Sequence, residues 1–204
     1  MNCKIPIKQK ALKAPSLTSF LLWGFYGIIH CAFLFAIIAC NNQTRDEVIT
    51  LMSHPIKIPS GKMDKRICSH LRNSTKKNNL LRVVYYIDSL NCQTCRMMQL
   101  AKYEEIKDNN IEMADVDFII IINSTAYDKE FLYSRLCNAR IRSTIYLDTI
   151  NAFRQANPHI PDNSALHTFV INEKDSVVLV GNPFQNDRME ALFEKVIENE
   201  KRKQ

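Results

Sequence analysis

The chain predicts an α/β domain with a central mixed sheet covered by helices on both faces. Three observations predict it. Asp117-Phe-Ile-Ile-Ile-Ile-Asn123 is a continuous apolar run, the mark of a strand buried on both sides. Apolar strand-like runs alternate with stretches whose apolar residues recur at helical spacing. Near the end, Leu166–Ile171 and Ser176–Val180 flank Asn172-Glu-Lys-Asp175, which reads as a hairpin before a last helix.

Taken in order, His54-Pro-Ile-Lys-Ile-Pro-Ser-Gly61 alternates apolar residues between prolines and predicts an edge strand. Lys65–Asn79 is polar, with room for a short helix. Leu81-Arg-Val-Val-Tyr-Tyr-Ile87 predicts a strand, and the stretch from Cys92 to Ile106 a helix ended by Asn109-Asn110. The strand 117–123 comes next, then a helix over Asp128–Asn138 with Phe131, Leu132, Leu136 and Cys137 as its apolar positions. Ser143–Asp148 predicts a strand, and Asn151–Ala156 a short helix stopped by Pro158. After the hairpin, Asp187–Asn199 closes the chain with Met189, Leu192, Phe193, Val196 and Ile197 inward.

The first forty residues differ in kind from the rest. Lys4, Lys8, Lys10 and Lys13 precede an apolar run from Phe20 to Ala39, and Cys40 stands directly after it. A charged start, an apolar stretch and a small residue before cysteine describe a secretory signal. Ile37-Ile-Ala-Cys40 resembles the lipobox of bacterial lipoproteins, in which the cysteine is acylated and becomes the new N-terminus. The competing expectation is a permanent span, since Phe20–Ala39 has about the length a bilayer needs. Both place the remainder of the chain outside the cytoplasm, because the lysines stay on the inner side. The expected organisation is a signal peptide or anchor over 1–39, a tether over 40–55 and a domain over 56–204.

Charge excludes one class of partner. The formal net charge is +6, from 27 basic and 21 acidic residues. Removing the four leading lysines from 27 leaves 23, so the chain from Asn41 on is near neutral and implies no nucleic acid. Only four glycines argue against a glycine-rich β-protein.

The candidate chemistry lies in Cys92-Gln-Thr-Cys95, between the strand 81–87 and the helix after it. A thiol at a helix N-terminus meets unpaired backbone N–H groups and the positive dipole end, which stabilise thiolate. A second thiol one turn on can resolve a mixed disulfide. Structural zinc would need four ligands, and no second Cys-x-x-Cys or close histidine pair stands further along the chain. An inert disulfide or two unused thiols is the stronger rival. Of the seven cysteines, Cys3 and Cys31 would leave with the signal and Cys40 would carry lipid. Cys68 and Cys137 are expected as small buried apolar residues, with pairing between them left open.

The element order, β-α-β-α-β-α-β-β-α, resembles the thioredoxin fold, and its details resemble membrane-anchored thiol–disulfide reductases and redoxin-like lipoproteins. Val83-Val-Tyr-Tyr-Ile87 with Cys92-Gln-Thr-Cys95, Thr144-Ile-Tyr-Leu-Asp148, and Thr168-Phe-Val-Ile-Asn172 with Val177-Val-Leu-Val-Gly181 carry it, over roughly Ile56–Asn199. The resemblance implies a thioredoxin-like three-layer sandwich. The chain also departs from the family. Asn91 and Thr94 stand where the family has a tryptophan and a proline, and Tyr86 stands where many members bury an acid. Leu166 takes the position of a cis-proline, and a cis bond there would cost about 2.5–4 kcal/mol, so the loop is expected to be trans.

The expected function is a membrane-tethered thiol–disulfide oxidoreductase of the cell envelope, with Cys92 attacking and Cys95 resolving. Its partners would be disulfide- or thiol-containing envelope proteins or small thiols, and it would need no cofactor. Two alternatives stand beside it. One is a non-catalytic binding module on the same fold. The other is a copper(I) site of Cys92, Cys95 and His167, against which the two-residue spacer speaks, since copper-delivery proteins of this fold space their cysteines by three. His167 itself is expected on the surface of an alternating strand, with Leu166 beside it in a substrate loop.

Overall fold

In a computed structural model of the chain, the described residues are 43–68, 80–88, 99–106, 116–125 and 128–203. The chain divides into two compact units, 1–45 and 46–204. Of the first, only 43–45 are described, and they are helical.

Six strands form one sheet: β1 (Asp64–Arg66), β2 (Leu81–Ile87), β3 (Val116–Asn123), β4 (Thr144–Asp148), β5 (Thr168–Asn172) and β6 (Val177–Val180). Their spatial order is β1-β4-β3-β2-β5-β6. β2, β3 and β4 run parallel, while β1, β5 and β6 pair antiparallel to their neighbours. The helices are α1 over 43–53, α2 over 99–106, α3 (Lys129–Asn138), α4 (Ala152–Ala156) and α5 (Asp187–Lys201).

Period-two alternation divides the strands between two cores. Val83, Tyr85 and Ile87 of β2 join Phe118, Ile120 and Ile122 of β3 in one core, roofed by Leu100 and Tyr103 of α2, Leu132 and Leu136 of α3, and Phe193 and Ile197 of α5. Val84 and Tyr86 join Ile119, Ile121, Phe169 and Ile171 in the other, covered by Leu51 of α1, Phe153 of α4, Ile56 and Ile160. The mixed sheet buried on both faces is therefore as the sequence predicts.

The helix starts obey capping chemistry. Asp128 accepts from the Phe131 N–H at 2.7 Å and Asn186 from the Met189 N–H at 3.0 Å. α4 is capped from a distance: buried Asp148 accepts from the N–H groups of Ala152 and Phe153, both at 2.8 Å.

Several expectations are corrected. His54–Gly61 is not a strand: 55–59 is irregular and Ser60–Lys62 is a 3-10 turn, because prolines at 55 and 59 remove donors a ladder needs. The stretch expected as a tether is helical over 43–53, and Leu51 is fully buried. Of the polar stretch with room for a short helix, Lys65 and Arg66 lie in β1, and residues 69–79 lie outside the described residues. Leu192, expected inward, is 42% exposed, and Phe131, one of the apolar positions of α3, is 58% exposed. Cys68 and Cys137 are buried but form a disulfide, with Cα atoms 5.5 Å apart across 69 positions of sequence.

Candidate functional site

The chain leaves β2 at Asp88 and is described again from Gln99, in α2. The sequence between these ends carries Cys92 and Cys95, which lie outside the described residues, as does Cys40. The groups around the two ends define the site.

Between them lies a cavity of about 410 Å³, within the range of ordinary small-molecule sites. Its lining comes from the end of β2 (Tyr85, Tyr86, Ile87), from α2 (Gln99, Leu100, Tyr103), from the approach to β5 (Ser164, Ala165, Thr168) and from Asn182. Tyr103 and Tyr85 stack with centroids 5.3 Å apart, and the Asn182 amide donates to the Tyr103 hydroxyl. Burial pushes the Tyr85 phenol well above its ordinary range, with the Tyr103 and Glu104 charges adding to it. Its hydroxyl is buried with no hydrogen-bond partner among the described residues.

Leu166 ends a 3-10 turn, Ser164–Leu166, whose Asn163 cap accepts from the Ala165 N–H at 3.1 Å. No cis peptide occurs among the described residues, so the trans expectation for this loop holds. The Leu166 side chain is buried.

The surface expectation for His167 is corrected: it is 1% exposed. Its carbonyl accepts from the Tyr86 N–H at 2.9 Å, extending the β2–β5 ladder, and its ring lies 5.1 Å from that of Tyr86. Nε2 donates to the Pro161 carbonyl at 2.7 Å, an oxygen that also accepts from Arg154 of α4 at 3.0 Å. Nδ1 stands 3.5 Å from the Asp88 carboxylate. Nε2 is thus committed to a carbonyl and Nδ1 faces an acid, while the two cysteines of the copper reading lie outside the described residues. Among the described residues, no group of three potential metal ligands occurs.

The position expected for a buried acid holds Tyr86, 2% exposed, its phenol pushed up to about 12 by burial and then by the nearby Asp88 charge. A buried acid appears elsewhere, at Glu104 of α2. One of its oxygens accepts from the N–H groups of Arg142 (3.1 Å) and Ser143 (2.6 Å), and the other has no hydrogen-bond partner among the described residues.

Sequence reasoning missed Asp88, Glu104, Arg154 and Asn182. A signal existed for Asp88 and His167. Counting by twos, Asp88 falls on the face of Val84 and Tyr86, and His167 on the face of Phe169 and Ile171. Both polar residues thus continue apolar faces past the strand ends.

The fold is thioredoxin-like. No family model matches the sequence, and no curated protein matches it. Among solved structures, it matches a thioredoxin-like protein in the oxidised form, 12% identical, with a TM-score of 0.50 over 71% of this chain and 95% of that one. Two further matches are the thioredoxin domain of a thiol-disulfide oxidoreductase from Bacteroides vulgatus and StoA from Bacillus subtilis. The first is 10% identical, TM-score 0.42, over 59% of this chain and 81% of that one. The second is 13% identical, TM-score 0.42, over 58% and 85%. At such identities the likeness is one of fold.

Proposed function

We propose that the chain is a thiol–disulfide oxidoreductase tethered at the outer side of a cell membrane. What carries the reading is sequence order on a known fold: in a thioredoxin-like sheet, the segment from the end of β2 into α2 carries Cys92-Gln-Thr-Cys95. Cys92 thiolate attacks a substrate disulfide, and one substrate sulfur leaves and takes a proton. Cys95 then gives up its proton and attacks Cys92. The mixed disulfide breaks, and the second substrate thiol leaves protonated. Two electrons pass to the substrate, and a Cys92–Cys95 disulfide remains.

The Cys68–Cys137 disulfide supports an oxidising compartment, where such bonds persist. Acylation of Cys40 would supply a stable anchor if more than one chain is attached. Among the described residues, no helix is long and apolar enough to cross a membrane.

The test uses the intact chain in detergent, equilibrated with glutathione mixtures and trapped by alkylation. A reversible Cys92–Cys95 disulfide is expected, and its absence across potentials from about −270 to −120 mV would defeat the proposal. Intact mass decides the tether: a chain shortened by 39 residues with added lipid, or the full 204. The binding-module alternative is favoured by Leu166 and Tyr86 at the departed positions. It gains if Cys92→Ser with Cys95→Ser leaves envelope thiol status unchanged while deletion of the chain alters it.

A further inference from the structure

Helix α1 buries one apolar residue and exposes two others. Leu51 is fully buried in the core that holds Ile56 and Phe153. Ile49 and Met52, three positions apart and so on one helical stripe, are 53% and 44% exposed. Arg45, four positions before Ile49 and also exposed, extends that stripe with a positive charge. At about 100° per residue, Asp46, Glu47 and Thr50 fall on other sides of the helix.

The end of α1 is clamped to the domain. The His54 ring stacks on His159 with centroids 5.0 Å apart, and the Ile56 N–H donates to the Asp175 carbonyl at 2.8 Å. Asn157 holds Lys57 by both backbone groups, at 2.8 and 2.7 Å. The orientation of the domain therefore follows that of the helix.

Chain length decides what lies against the stripe. The apolar run ends at Ala39 and α1 begins at 43, so 43 − 39 = 4 steps separate them. Four residues reach at most about 14 Å when fully extended, and the headgroup layer of one leaflet takes up about 5–7 Å of that. Under either form of the tether, acylated Cys40 or a permanent span, the first turn of α1 is held at or just above the headgroups. A helix over 43–53 is too short to cross a bilayer but can lie on one. Ile49 and Met52 then meet the acyl boundary, and Arg45 sits at the level of the lipid phosphates.

We propose that the stripe of Arg45, Ile49 and Met52 is a membrane-contact surface, by which α1 lies in the bilayer interface and turns the sheet face covered by α1 and α4 toward the lipid. The inference rests on the tethered reading above. It gives the tether a second role, because a lipid on Cys40 alone fixes distance to the membrane but not direction.

Single tryptophans test the contact, since Trp23 is the one tryptophan of the chain. The intact chain with Trp23→Phe is placed in lipid vesicles, and Ile49→Trp, Met52→Trp, Thr50→Trp and Phe131→Trp are compared. Each is measured with and without lipids brominated near the headgroup end of the acyl chain. All four positions are exposed, so the fold can accept the larger ring. Ile49→Trp and Met52→Trp should emit at shorter wavelength. They should also be quenched at least about threefold more than Thr50→Trp, on another side of α1, or Phe131→Trp, on α3. Should one of the two variants lower the denaturant midpoint, the other carries the test.

Quenching at 49 and 52 no greater than at 50 overturns the proposal. A shift to shorter wavelength that brominated lipid leaves unquenched means that a protein surface, such as a second copy, covers the stripe, and overturns it as well. Failure of the tether is read separately. Protein stripped from the vesicles by alkaline carbonate defeats the tethered reading and the contact with it. Protein that stays and is quenched equally at all four positions defeats the contact alone.

Discussion

The outer edge of the sheet and the inner strand ends both carry polar groups, and they treat them in opposite ways. At the edge, three-residue β1 is held to α3 by partners on every side. Arg66 pairs with Asp64 (2.8 Å) and Glu130 (2.6 Å), Lys129 reaches Asp64 (3.4 Å), and the Tyr133 hydroxyl donates to the Ile67 carbonyl (3.0 Å). Arg66 holds the Asp64 carboxyl below its ordinary range. The Cys68–Cys137 disulfide completes the staple. Toward the inner end, among apolar neighbours, His167 Nδ1 and the Tyr85 hydroxyl have no hydrogen-bond partner among the described residues. The edge satisfies its polar groups through a shared network, whereas the inner end leaves buried polar atoms open among the described residues.

The largest effect that could break this contrast is on the covalent staple. Replacing both cysteines, Cys68→Ala with Cys137→Ala, should cost about 3–5 kcal/mol, since the bond closes a long loop of the unfolded chain. Denaturant unfolding reads the cost, and an unchanged midpoint would show that the ion pairs alone hold β1. Under mild reductant without denaturant, Cys68 and Cys137 should resist alkylation while Cys92 and Cys95 react.

Next comes the inner end. His167→Ala removes a buried ring and a hydrogen bond and should lower stability by about 2–3 kcal/mol. His167→Gln should cost clearly less, because its amide can still reach Pro161. Equal losses would mean that packing against Tyr86, and not the Pro161 bond, is what the ring supplies.

The pH dependence should also separate regions. Tyr86 has its folded-state phenol raised from 10 to about 12. A raised value means that its contribution is complete below pH 10 and is lost as pH climbs from there toward about 12. Tyr86→Phe should remove that alkaline loss, as read from unfolding midpoints against pH. His159, stacked on His54 with centroids 5.0 Å apart, carries the opposite sign. Burial, then His54 and Lys57, lowers it from 6.5, so its contribution is complete above pH 6.5 and is lost on acidification. His159→Gln should flatten the acid limb, and an unchanged limb would assign that loss elsewhere.

The smallest effect should be at the surface. Glu130→Gln weakens a pair whose acid is 59% exposed, and exposed pairs contribute about 0–1 kcal/mol. A loss well above that would make the edge network, with Asp64 and Lys129, cooperative.

Much of the architecture was legible because it stems from alternation and apolar runs. Phe118, Ile120 and Ile122 face one core and Ile119 and Ile121 the other because successive strand side chains point opposite ways. The hairpin and α5 were likewise readable from turn residues and helical spacing. The region before β2 was not. Pro55, Ile56 and Ile58 suggest alternation, yet Ile56 is buried in an irregular stretch between prolines. That stretch is fixed by Asn157, whose side-chain amide bonds the Lys57 N–H (2.8 Å) and carbonyl (2.7 Å). The partner lies 100 positions away, beyond any local pattern.

What the sequence by itself determined is the run of strands and helices from β2 to α5 and the position of the cysteine motif in the chain between β2 and α2, because those depend on local period and order. What only the tertiary structure decided is which distant polar groups meet. Cys68 finds Cys137, and His167 finds Asp88 and Pro161, through strand order β1-β4-β3-β2-β5-β6 and the crossovers that produce it. Pair contacts of that kind carry no periodic signature, since each depends on where two separately formed elements come to rest.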